Sequence, residues 1–152
     1  GGAKADRMHY EIELSDGADE SATAAILAGL KDYNLHRFGP ADWKELVIAL
    51  KNDDGKVIGG LSGHTARGWL YIALLFIPED LRGQGLGPKL LQMAEDEARK
   101  RGCTGAYIDT MSADALTLYQ RCGYEIFGQI AEFGPDYAMT YLKKLLRDAK
   151  VS

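Results

Sequence analysis

Residues 81–91 read Leu81-Arg82-Gly83-Gln84-Gly85-Leu86-Gly87-Pro88-Lys89-Leu90-Leu91, with glycine at every second position behind an arginine. Glycine-rich turns between a strand and a helix suit anions, because missing side chains let backbone N–H groups approach and the helix N-terminus adds partial positive charge. The spacing narrows the ligand. Gly83, Gly85 and Gly87 give GxGxG rather than the GxGxxG of a dinucleotide fingerprint, and Pro88 stands where a P-loop needs its second glycine. Arg82 is placed to meet a charged oxygen, and Pro88 suits the first helical turn, where its missing N–H costs nothing. A phosphate of some other ligand is expected here, against the competing reading of a plain tight turn.

The elements around the loop follow from periodicity. Residues 69–77 are apolar almost throughout, as expected of a central strand covered on both faces. In 87–101, Leu90, Leu91, Ala94 and Ala98 recur at helical spacing, Glu95 to Arg101 supply a charged side, and Gly102 marks the stop. Upstream, 9–14 alternates like a first strand, Asp19 or Ser21 caps a helix running to about Asn34, and Asn52-Asp53-Asp54-Gly55 joins strands 46–51 and 56–62 in a hairpin continuing toward His64. Downstream come strand 106–110, helix 113–122, and strands 124–130 and 137–142. This order indicates an α/β domain with a mixed sheet.

Composition bounds the function. A chain of 152 residues, 46% apolar and 26% charged, fits one domain, expected over 8–147, with 1–7 an appended or disordered start and 148–152 a tail. The net charge of -4 without a basic block argues against nucleic acid. The longest apolar stretch, 70–78, is too short to cross a bilayer and no signal-peptide core precedes Met8, so a cytoplasmic location away from membranes is expected. Cys103 and Cys122 fit no metal or redox spacing and are expected as reduced, buried thiols.

Arg82-Gly83-Gln84-Gly85-Leu86-Gly87 resembles the (Q/R)-x-x-G-x-(G/A) signature of the GNAT acetyltransferases, and Ala115-Leu116-Thr117-Leu118-Tyr119-Gln120-Arg121-Cys122-Gly123-Tyr124 resembles the same family's A-x-x-(L/F)-Y-x-x-x-G-(F/Y) segment. With the strand before the loop, the helix after it and strand 106–110, the likeness covers about half the chain in order. It implies a GNAT-like mixed, largely antiparallel sheet of six to seven strands flanked by about four helices. It also implies acetyl-CoA as cosubstrate, with no metal. The pyrophosphate would lie on Arg82, Gly83, Gln84, Gly85, Leu86, Gly87, Pro88 and Lys89, and the pantetheine arm beside Leu75, Phe76 and Ile77 like an added strand. Two departures stand out: Glu79 occupies a position where many relatives have proline, and Ser112 one where many have asparagine.

Acetyl transfer needs a neutral nucleophile, an oxyanion donor and a proton for the thiolate. By the resemblance, Tyr119 is the general acid and a backbone N–H of 75–77 the oxyanion donor. Glu79, Asp109 and His64 are the candidate bases, Glu79 being the one selected, and each has an ordinary structural alternative. Cys122 lacks the neighbouring histidine that a covalent acyl-enzyme would need, which favours direct attack in a ternary complex. The acceptor is expected to be an amine of a small molecule or peptide, walled by Tyr33, Asn34, Phe38, Phe133 and Tyr137. A non-catalytic acyl-CoA-binding module and a non-amine acceptor stay open, and a homodimer is a further expectation.

Overall fold

Strands β1 (Lys44–Lys51), β2 (Val57–Ala66) and β3 (Trp69–Phe76) form an antiparallel meander, seen in a computed structural model that describes residues 7–146. The β1–β2 turn is held by Asn52, whose side-chain oxygen accepts the N–H groups of Asp54 and Lys56, with Gly55 at φ 77°. Arg67 and Gly68, at φ 50° and 81°, make the two-residue β2–β3 turn, since positive φ at both central positions matches the strand twist. Helix α2 (Leu86–Lys100), β4 (Gly105–Thr110), helix α3 (Ala113–Arg121), β5 (Glu125–Ile130) and β6 (Met139–Leu145) complete this part of the chain. A one-turn 3-10 helix, Glu79–Leu81, precedes α2.

The sheet order is β1-β2-β3-β4-β6-β5, and only the β3–β4 pair is parallel. Six strands in a mixed, mostly antiparallel sheet agree with the expected fold class; the described residues hold three α-helices. Leu90, Leu91, Ala94 and Ala98 of α2 pack with Leu61, Leu70, Ile72, Ala106, Ile108 and Leu142 into one core. Alternation along the strands turns Leu70, Ile72, Ala106 and Ile108 to that core and Tyr71, Tyr107 and Asp109 to the other face.

The described chain falls into two compact units that meet at Pro40/Ala41. In the N-terminal unit, Asp19 caps helix α1 (Glu20–Phe38) by accepting the Ala22 N–H, and no residue of α1 is buried. The helix outruns its expected end at Asn34 and stops at Gly39, which takes φ 79° and donates its N–H to the Leu35 carbonyl. Residues 1–6 and 147–152 lie outside the described residues, including most of the expected start and all of the expected tail.

Other expectations change. Residues 9–14 alternate yet form no strand, because no described strand pairs with them and alternation alone satisfies no backbone group. Glu95, read as part of the solvated side of α2, is buried: its carboxylate accepts the Tyr124 O–H at 2.9 Å and the Lys144 ammonium at 2.7 Å. Such a charge tolerates burial only when paired in this way. The last strand, expected over 137–142, runs from Met139 to Leu145, so Lys144 belongs to the sheet. Finally, β3 is covered on both faces nowhere near its end, where Leu74 and Phe76 are 67% and 53% exposed.

Candidate active site

The exposed end of β3 results from a parting of strands. Pairing with β4 stops at Ile72↔Ile108, whereas pairing with β2 continues to Gly60↔Phe76. A bulge helps to bend the strand: Ser62 pairs with Leu74 and Gly63 with Ile72, leaving Ala73 as the extra residue. Gly63 permits this approach, since a Cβ there would stand 2.0 Å from the Tyr71 carbonyl oxygen. Beyond Ile72 the backbone edge that faced β4 therefore has no strand beside it.

A cleft of about 760 Å³ fills the gap. Its walls are Ile72–Ile77 of the β3 end, the glycine loop with Arg82, Gly83 and Gly85, the first residues of α2, the β4 end from Ile108 to Ser112, and Ala115, Leu118 and Tyr119 of α3. Ile108 and Asp109 face opposite sides of the sheet and both line the cleft. The cleft thus sits at the ends of β3 and β4, where the two strands separate.

The loop is built for close approach. Gly83 and Gly85 sit at φ 79° and 78°, a left-handed conformation costly for residues with a Cβ. Gly85 is also the N-cap of α2, and no side chain caps this helix or places an acid in its first turn. The Lys89 N–H reaches the Gly85 carbonyl, while Leu86 and Gly87 have no intrahelical acceptor and Pro88 has no N–H at all. Two residues with uncommitted backbone donors and the positive helix end therefore form part of the cleft wall. Gly87 has a different reason to be glycine: a Cβ there would come 3.0 Å from Leu118 Cδ2, so it lets α2 and α3 pack. Arg82 lines the cleft and its Nε donates to the Ile77 carbonyl at 2.9 Å, tying the loop to the strand it leaves. Gln84 and Lys89 are exposed and are not among the lining residues.

Tyr119 is buried at the cleft wall, and its hydroxyl makes no hydrogen bond to a described residue. Burial, followed by the negative charge of Asp109, pushes its pKa up to about 12. Asp109 accepts a hydrogen bond from the Tyr71 hydroxyl at 2.9 Å, and burial together with that carboxylate also raises Tyr71 to about 12. Glu79 is exposed in the 3-10 turn and does not line the cleft. His64 stacks on Trp43 with 3.6 Å between ring centroids, also outside the lining residues. Ser112 caps α3 by accepting the Ala115 N–H at 3.2 Å, which commits its hydroxyl to the fold.

Cys103 is buried and Cys122 half-buried, and burial pushes both thiols up, the reverse of nucleophile activation. Tyr33 and Phe38 are exposed on α1 and Asn34 is half-buried there. Phe133 and Tyr137 pair edge to face at 6.2 Å within the β5–β6 connection and do not line the cleft. Tyr71 escaped sequence reasoning. Its period-2 placement opposite the apolar positions of β3 was the available signal, but its partner lies 38 residues away.

Comparison with known proteins gives a consistent result. Residues 13–124 match the Acetyltransferase (GNAT) family. The chain is 56% identical over 131 residues to an acetyltransferase of Agrobacterium fabrum, covering 86% of this chain and 96% of that one. It is 38% identical over 93 residues to the blasticidin-S acetyltransferase of Streptomyces morookaense, covering 60% of this chain and 68% of the relative. A crystal structure of a candidate acetyltransferase from Agrobacterium tumefaciens superposes with a TM-score of 0.86 at 54% identity, covering 90% of this chain and 99% of that one.

Proposed function

The chain belongs to the acetyltransferase (GNAT) family, and from that premise we propose that it transfers an acetyl group from acetyl-CoA to an amine by direct attack in a ternary complex. The observation that carries this reading is one cleft containing both an uncapped helix start and the Tyr119 hydroxyl.

The pyrophosphate is assigned to the Leu86 and Gly87 N–H groups, with Arg82 supplying positive charge. The pantetheine arm takes the edge of Ala73–Phe76 that β4 leaves open, bonding to backbone as an added strand does. A backbone N–H of that edge polarises the thioester carbonyl. The amine lone pair forms the C–N bond, the carbonyl π pair moves to oxygen and returns, and the C–S pair leaves with sulfur. The amine proton passes to water.

The role of Tyr119 is narrower than full proton donation. Burial, followed by the negative charge of Asp109, pushes this phenol up to about 12, so it holds its proton more tightly than a free tyrosine. Tyr119 instead donates a hydrogen bond to sulfur as the C–S bond breaks, and it stays protonated throughout the physiological range.

The test is release of free CoA thiol from acetyl-CoA against a panel of small amines and lysine peptides. Amine-dependent release is expected; its absence on the whole panel, with CoA still bound, would leave only a binding module. Saturation with CoA at 100 times its dissociation constant should raise the melting temperature by about 5 to 11 °C.

A further inference from the structure

On the sheet face away from α2, Tyr71 and Tyr107 stack with ring centroids 4.8 Å apart, and the Tyr71 hydroxyl ends on Asp109. Asp109 is half-buried and lines the cleft, yet none of the described ion pairs uses it and its one described side-chain hydrogen bond comes from Tyr71. An ionised carboxylate can accept about four hydrogen bonds. Tyr71 therefore fixes one oxygen and leaves capacity on the side that opens to the cleft. A carboxylate with acceptor capacity left over suits a cation, and above all the planar fork of a guanidinium.

From this arrangement we propose that Asp109, oriented by Tyr71, anchors an acceptor carrying a permanent positive charge apart from the nitrogen that attacks. This inference rests on the acetyl-transfer reading of the same cleft. The charge has to be a second one: a carboxylate against the reacting nitrogen would keep it protonated, whereas direct attack needs it neutral. Asp109 is close enough to influence Tyr119 electrostatically, so a molecule held there reaches toward the sulfur end of the cofactor. The acceptor class is an amine with a guanidinium or second ammonium, held at the β4 end of the cleft while the cofactor lies along the open β3 edge.

Agmatine, an amine with a terminal guanidinium, is the probe, and butylamine is its singly charged counterpart. The acetyl-transfer rate should favour agmatine in kcat/KM, and Asp109→Asn should reduce that value at least about tenfold, mainly through KM, as expected for one lost charge-assisted hydrogen bond. Butylamine, which brings no second charge for Asp109 to hold, should lose much less, so the preference for agmatine collapses in the variant. Tyr71→Phe, which keeps the ring, should raise KM for agmatine a few-fold and leave kcat. Calorimetric binding of agmatine to the CoA-loaded protein supplies a readout independent of turnover. Agmatine binding that depends on Asp109 without any acetylation would remove the catalytic reading and keep the anchor. Equal use of the two amines, or agmatine binding undiminished in Asp109→Asn, would overturn the anchor while leaving acetyl transfer standing.

Discussion

Helices α2 and α3 both begin at the rim of the cleft, and they begin differently. Ser112 closes the start of α3 with its own hydroxyl on the Ala115 N–H, whereas α2 starts on left-handed Gly85 with no side chain over its free donors. A capped helix start has spent its donors on the fold; an uncapped one lined by glycine offers them to a ligand. The two starts also divide the chemistry, with anion binding assigned to α2 and the Tyr119 hydroxyl carried by α3.

The comparison breaks most severely at Gly85. Gly85→Val places a β-branched residue at φ 78°, and CoA affinity should fall on the order of 100-fold by calorimetry. Tyr119→Phe acts on the other helix: kcat should drop roughly 10- to 100-fold with the dissociation constant for CoA nearly unchanged. A mutant with full kcat would reduce Tyr119 to packing. Asn and Asp both tolerate left-handed backbone, so comparing Gly85→Asn with Gly85→Asp isolates charge at the α2 start. The Asp variant should bind CoA about tenfold more weakly than the Asn variant.

The smallest effect belongs to the capped start. Ser112→Ala should cost about 1 kcal/mol of stability, a melting shift of about 2 to 4 °C, and leave CoA affinity alone. Alkaline pH should also act on the tyrosines that burial raises, Tyr119 and Tyr124 near α3 and half-buried Tyr71 on β3. Tyr119 and Tyr71 lie higher in the folded chain than in the unfolded one, so their stabilising contribution is complete below pH about 10 and is lost as pH rises through about 12, whereas Tyr124, raised further, gives way only above that. Urea midpoints measured at pH 8 and pH 11 should fall accordingly.

Much of α2 was legible because its signals are local. Glycine spacing, proline in the first turn and apolar residues at helical period all sit within 20 residues, and the helix boundary shifted by a single residue from 87 to Leu86. Tyr119 was legible through its motif. The parting of β3 from β4 was not, since Leu70 and Ile72 in the paired half and Leu74 and Phe76 in the open half are alike as residues. Whether such a run is covered depends on what lies beside it. Glu95 was misread for a related reason: its partners Tyr124 and Lys144 stand 29 and 49 residues away. The alternation at 9–14 gave a strand signal with no described partner to complete it.

Pyrophosphate binding at the start of α2 falls to two amide groups, and their resonances report it. In a ¹H–¹⁵N spectrum titrated with CoA, the Leu86 and Gly87 amides should shift strongly downfield as they donate to the pyrophosphate, while Ala115, already bonded to Ser112, should hold its place. Saturable CoA binding that leaves Leu86 and Gly87 unmoved would rule out the α2 start as the pyrophosphate site.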